Sequence, residues 1–158
     1  MANKRDQIRM SDDEVREFLS NAKTVILTSN GRDGFPHSVP MWFFLEDDGT
    51  LRITTFRKSQ KVVNVRRDPK VMLLAEDGEE YSELRGVMIK AETEIVDDVE
   101  LAMDTMLRIA GTDPMMTSQD DLEAMKAGVR KVAEKRVVLL CKPVETISFD
   151  HRKLGGGF

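Results

Sequence analysis

TVILTSNGRDGFPHSVPMWFFL, residues 24–45, decides how this chain folds. TVILTS (24–29) is β-branched and apolar, the composition of a strand. NGRDG (30–34) is a turn signal, and HSVPMWFFL (37–45) reads as the second arm of a hairpin. Pro40 lies inside that arm. A proline cannot donate to a ladder, so the arm is expected at a sheet edge or a bulge.

Working outward, the same alternation of strand and turn continues. EDDGT (46–50) turns the chain into a third strand, LRITT (51–55). Ser59 is a cap for a short helix with Val62, Val63 and Val65 on its apolar side, ended by Pro69. KVMLLAED (70–77) and LRGVMIKAETEIV (84–96) read as strands, with Gly86 marking a bulge or a close backbone approach. Helices follow over about 98–110 and 119–135, the second expected to present Leu122, Met125, Val129 and Val132 on one face. RVVLLCKPVETISF (136–149) reads as a strand pair or one long bent strand. Before the hairpin, Ser11 and Glu14 form a capping box ahead of the stripe Val15, Phe18, Leu19. About six strands in hairpin-like succession with a few helices indicate an antiparallel barrel or sheet of α+β type.

Composition bounds the function. The 158 residues suit one domain over 1–158. The chain is 41% hydrophobic and 33% charged, a globular balance. No apolar run approaches the ~20 residues of a membrane helix, and MANKRDQIRMSDDE lacks the core of a signal peptide. A single cysteine, Cys141, excludes an internal disulfide, and its apolar surroundings (VVLLC) read as core. The expected location is cytoplasmic, with no membrane partner. A net charge of −4 disfavours nucleic acid, because such binding rests on neutralising phosphates. Residues 57–70 nonetheless hold six basic residues and one acidic one, which points to a small anionic ligand.

The chemistry is concentrated in TTFRKSQKVVNVRRDP (54–69). A strand ends and a helix begins there, and free N–H groups at a helix start favour an anion. With a helical first turn, Arg57, Lys58 and Lys61 share a face and can grip a phosphate, helped by the hydroxyls of Thr54, Thr55 and Ser59. The competing reading is a solvated basic face, since no glycine-rich phosphate loop is present.

RKSQKVVNVRRDPKV, ELRGVMIKAETEIVDD and DHRKLGGGF, in this order and separation, resemble the pyridoxamine-phosphate-oxidase-like split-barrel superfamily. The likeness is greatest to its flavin/deazaflavin oxidoreductase B group and runs from about residue 12 to the C-terminus. It implies an antiparallel split β-barrel with short flanking helices. It also implies a homodimer with a flavin or deazaflavin in the groove between the chains; ten methionines and few aromatics fit an adaptable apolar interface. By resemblance the phosphate lies on Thr54, Thr55, Arg57, Lys58, Ser59 and Lys61, and the ring on Ser38, Val39, Pro40, Met41 and Trp42. The tail would bring Arg152 and Lys153 towards the cofactor or substrate. Relatives often end in tyrosine where this chain has Phe158, so a role needing that hydroxyl does not transfer.

Other constellations are weaker. His37 and His151 with one cysteine make no structural metal site. Asp150 beside His151 has the look of a catalytic pair, but no G-x-S-x-G supplies a nucleophile. Tyr81 offers a proton donor or is a plain surface residue. The expected function is therefore an oxidoreductase using the deazaflavin coenzyme F-420, or alternatively FMN, to move hydride to or from a small unsaturated or conjugated substrate. Such chemistry belongs to the cofactor, which agrees with the lack of an acid–base constellation. The alternative is a non-catalytic carrier of a flavin or tetrapyrrole on the same fold.

Overall fold

The computed structural model describes residues 3–155. Seven antiparallel strands form one sheet in the order β2-β1-β5-β6-β7-β4-β3. They are β1 (Thr24–Asn30), β2 (Pro36–Trp42), β3 (Phe44–Leu45), β4 (Leu51–Phe56), β5 (Lys70–Asp77), β6 (Arg85–Val96) and β7 (Arg136–Asp150). β2 and β4 approach each other although five positions separate them in that order, so the sheet curls into an incompletely closed barrel. This is the expected α+β split barrel.

The sequence signals explain the elements. After the single turn α1 (Lys4–Gln7), α2 (Asp12–Asn21) starts on a complete capping box: Glu14 N–H donates to Ser11 Oγ at 3.2 Å, and Ser11 N–H to Glu14 Oε2 at 2.6 Å. Phe18 and Leu19 of α2 plug the barrel against Val25 and Leu27 of β1 and Leu73 of β5. The hairpin closes as read, with Ile26 opposite Pro40, and β2 is the sheet edge that Pro40 requires. α3 (Gln60–Arg67) lays Val62 and Val65 on the core. Its fully buried Asn64 donates to Ser29 Oγ at 3.0 Å, so the helix is keyed to β1 by a satisfied polar contact.

Residues 136–149 belong to one strand, bent by a bulge at Val144: Lys90 faces Glu145 and Ala91 faces Pro143. Gly86 is a close approach, not the bulge, since a Cβ there would meet the Phe149 ring at 2.7 Å.

α4 (Val99–Ile109) and α5 (Gln119–Ala133) cover the outer face of β7, where Ala102, Met103, Ala133 and Val138 form a second core. Here the expected face of α5 is corrected. Leu122 and Val129 turn inward as read, but the helix rotates so that Ala133 and the stem of Lys126 join them, while Met125 and Val132 are exposed. A lysine stem can cover apolar surface with its head in water, which a pattern of apolar letters misses.

Cys141 is fully buried in the barrel core, as expected, and burial pushes its thiol up to about 11 from an ordinary 9.0. The folded chain thus keeps a proton that the unfolded chain releases above pH 9. The resulting stability is full below pH 9 and falls as pH rises towards 11. Denaturant melts should show that part of the slope in the parent and not in Cys141→Ala.

Candidate functional site

β4 is buried on both faces, because the barrel core lies on one side and α4 on the other. Side chains alternate along a strand, so adjacent Thr54 and Thr55 serve different surroundings. On the Thr55 side, Lys61 Nζ donates to Thr55 Oγ1 at 3.0 Å, and Ser59 Oγ lies 3.3 Å from the same oxygen. Ser59 is the N-cap of α3, in extended backbone, and its hydroxyl makes no capping bond. Lys61 pairs with no carboxylate among the described residues. Burial first, and the nearby Arg136 charge second, hold its ammonium below the ordinary lysine range.

On the Thr54 side stands Arg136, opposite Phe56 in the β4–β7 register. Its guanidinium lies 4.4 Å from the Phe56 ring centre and makes only long contacts to Thr54, 3.4 Å to the carbonyl and 3.5 Å to the hydroxyl. Its Nε is buried without a partner among the described residues. Thr54 and Arg136 border a cavity of about 350 Å³. β2 supplies Pro40, Met41 and Trp42 to its wall, and the end of α4 supplies Met106, Ile109 and Ala110. Trp42 is 67% exposed at its mouth.

The structure therefore brings Thr55, Ser59 and Lys61 together, and Pro40, Met41, Trp42 and Thr54 around the adjoining cavity. Ser38 and Val39 lie farther along β2; Ser38 shares a 2.8 Å hydrogen bond with Thr28. α3 begins only at Gln60, so Arg57 and Lys58 precede the helix and share no helical face with Lys61. Arg57 grips Asp97 through Nε at 2.8 Å and Nη2 at 2.7 Å, and donates to the Glu134 carbonyl at 3.1 Å. Lys58 is exposed and makes no ion pair among the described residues. Lys153 is engaged elsewhere, donating to Glu14 Oε2 at 2.7 Å and the Arg9 carbonyl at 2.8 Å. The expectation for the tail's last residues, including Phe158, lies outside the described residues.

Asp150 and His151 are not partners. Asp150 is buried against Arg152 at 2.6 Å, which lowers its carboxyl, while His151 Nδ1 lies 2.9 Å from the Tyr81 carbonyl. No group of three metal-ligating side chains occurs among the described residues, and none of their helices is long and apolar enough to cross a membrane. Sequence reading missed Arg136, Met106, Ile109 and Ala110. Only the β4–β7 pairing and the packing of α4 bring them here.

The chain is similar to the conserved hypothetical protein Rv2991 from Mycobacterium tuberculosis, at 35% identity and a TM-score of 0.85, over 99% of this chain and 95% of that one. An F420 reductase shares the fold at 22% identity and a TM-score of 0.61, over 83% and 94% of the two chains. A FAD-binding protein from Mesorhizobium loti does so at 19% identity and a TM-score of 0.61, over 88% and 93%. No curated protein matches the sequence. The family model for pyridoxamine 5'-phosphate oxidase matches residues 11–145. With the split barrel in agreement, the chain belongs to the pyridoxamine 5'-phosphate oxidase family.

Proposed function

We propose that the protein is an oxidoreductase that holds a flavin-type cofactor by its phosphate at the β4–α3 junction and transfers hydride to or from a small unsaturated or conjugated substrate. The deazaflavin coenzyme F-420 is the first candidate and FMN the second. One observation carries the reading: Lys61 is a half-buried cation with a hydroxyl partner and no carboxylate partner among the described residues. A desolvated charge without a counter-ion is costly, and a bound phosphate removes that cost.

The residues fit such a cofactor. Lys61, Thr55, Ser59 and the first N–H groups of α3 would hold the phosphate, with Lys58 adding charge from solvent. Pro40, Met41 and Trp42 would meet the ring along β2, which leaves the α4 and Arg136 side of the cavity to the substrate. Arg57 acts through the turn: its pair with Asp97 and its N–H bond to the Lys135 carbonyl at 3.0 Å keep the strand–helix junction in shape. The bound cofactor supplies the hydride chemistry; the chain supplies charge, orientation and a water-poor wall. Lys153 receives no role on the cofactor, being tied to Glu14 within its own chain.

The cofactor is proposed to lie between two copies. Exposed Trp42 and Phe56 beside the cavity are apolar surface a second chain would cover. Light scattering should give twice 17.9 kDa; a monomer at every concentration would remove the shared groove. The activity test is direct. FMN and coenzyme F-420 are titrated separately, then the bound, reduced form is offered conjugated acceptors. Faster reoxidation with acceptor supports the enzyme; binding without acceleration makes the protein a carrier.

A further inference from the structure

We propose that Arg136 anchors the carboxylate of the substrate, so that the cavity beside Trp42 selects an apolar carboxylic acid. The identity of this ligand as substrate rests on the oxidoreductase reading; the acid site itself does not. Thr54 and Thr55 are neighbours on β4, so their side chains leave opposite faces of the strand. Each meets one cation, Lys61 on Thr55 and Arg136 on Thr54, and neither cation pairs with a carboxylate among the described residues. The strand therefore carries two anion-seeking groups on opposite faces, near enough for the Arg136 charge to act on Lys61. The phosphate reading uses the first and leaves the second without a counter-charge.

Arg136 is half-buried and unlike the arginines nearby. Arg52 pairs with Asp104 at 2.7 Å and with Glu46 at 2.9 Å, and Arg57 is forked on Asp97. Arg136 has only the Phe56 ring and two long contacts to Thr54, and its Nε lies buried and unpartnered. Burial disfavours its charge, yet a guanidinium stays protonated, so an anion in the cavity would be strongly held. The planar fork matches a carboxylate, and Thr54 Oγ1 stands ready as a further donor. The remaining wall, Pro40, Trp42, Met106 and Ile109, is apolar. About 350 Å³ lies in the range that holds a small organic molecule. One cation at the end of an apolar pocket defines the ligand class: an acid head and a conjugated or aromatic body.

The test uses the whole protein, with cinnamate and uncharged cinnamamide as probes. Calorimetry gives affinities, and Trp42, the sole tryptophan, reports entry into this cavity by its fluorescence. The parent should prefer cinnamate by at least about tenfold, the scale of one charge-assisted contact. Arg136→Gln should abolish the preference while keeping affinity for FMN and coenzyme F-420; Arg136→Lys, which keeps the charge, should retain part of it. Lys61→Ala should do the reverse, losing cofactor and keeping the preference. Equal binding of acid and amide by the parent, or no binding of either, overturns the proposal. So does a loss of cofactor in both Arg136 variants matching that in Lys61→Ala, which would move Arg136 to the phosphate. Should the parent take neither cofactor yet prefer cinnamate through Arg136, the oxidoreductase reading fails and the acid site stands.

Discussion

Replacing Lys61 with alanine is expected to weaken FMN and coenzyme F-420 binding by about tenfold to a hundredfold. The ammonium is half-buried, bonded to Thr55 at 3.0 Å, and among the described residues it pairs with no carboxylate that would compete with a phosphate. A charge-assisted contact of this kind contributes roughly 1.5–3 kcal/mol, and 1.4 kcal/mol is about one decade in affinity. Riboflavin, which lacks the phosphate, should bind parent and variant alike. Lys58→Ala should cost far less and vanish in salt, because that side chain is exposed. The pH dependence has a definite sign. Lys61's lowered pKa means the attraction is full while the ammonium is charged and fades as pH rises, earlier than for an ordinary lysine. Calorimetry on both proteins with three ligands decides; equal affinities would return residues 57–70 to a solvated basic face.

Asp104→Ala is expected to destabilise the fold by about 2 kcal/mol, below the scale for breaking a fully buried pair because Asp104 is partly exposed. Asp104 of α4 meets Arg52 Nη2 at 2.7 Å and Arg108 Nε at 3.1 Å. Both guanidiniums lie over the Phe44 ring, at 5.3 and 5.0 Å. Removing the carboxylate leaves the buried Arg52 with only Glu46. The same cluster pins α4, whose last turn supplies Met106, Ile109 and Ala110 to the cavity. Asp104→Ala should therefore also loosen ligands at Trp42 while sparing the phosphate contact. Arg52→Met combined with Asp104→Leu should recover most of the stability, since no buried charge is left and Glu46 and Arg108, each about one-third exposed, can turn to water. Urea melts of the three variants measure this; a loss in the double variant equal to that in Asp104→Ala would sink the account.

Much of this architecture is legible in the letters, for local reasons. Ser11 and Glu14 announce a helix start because both capping partners lie within one turn. Pro40 announces an edge because its ring removes a donor. The strand–helix junction shows which hydroxyls and cations converge, and Thr55, Ser59 and Lys61 do so. What was not legible depends on partners far along the chain. Arg57 is claimed by Asp97, forty residues on. Arg136 reaches Thr54 only because β4 pairs with β7 in one register. The rotation of α5 is set by the length of a lysine stem rather than by apolar spacing.

The prolines of β2 reach beyond the site. In an edge strand a proline nitrogen is confined to the side away from the neighbouring strand. The outer rim of β2 therefore lacks donors at Pro36 and Pro40. A foreign strand arriving at this rim finds rungs missing from the ladder it would need to extend. Runaway stacking of sheets, the usual hazard of an open barrel edge, is blocked here by covalent structure and not by charge. Any assembly across this edge would have to be made by side chains, because extension of the sheet lacks its donors there.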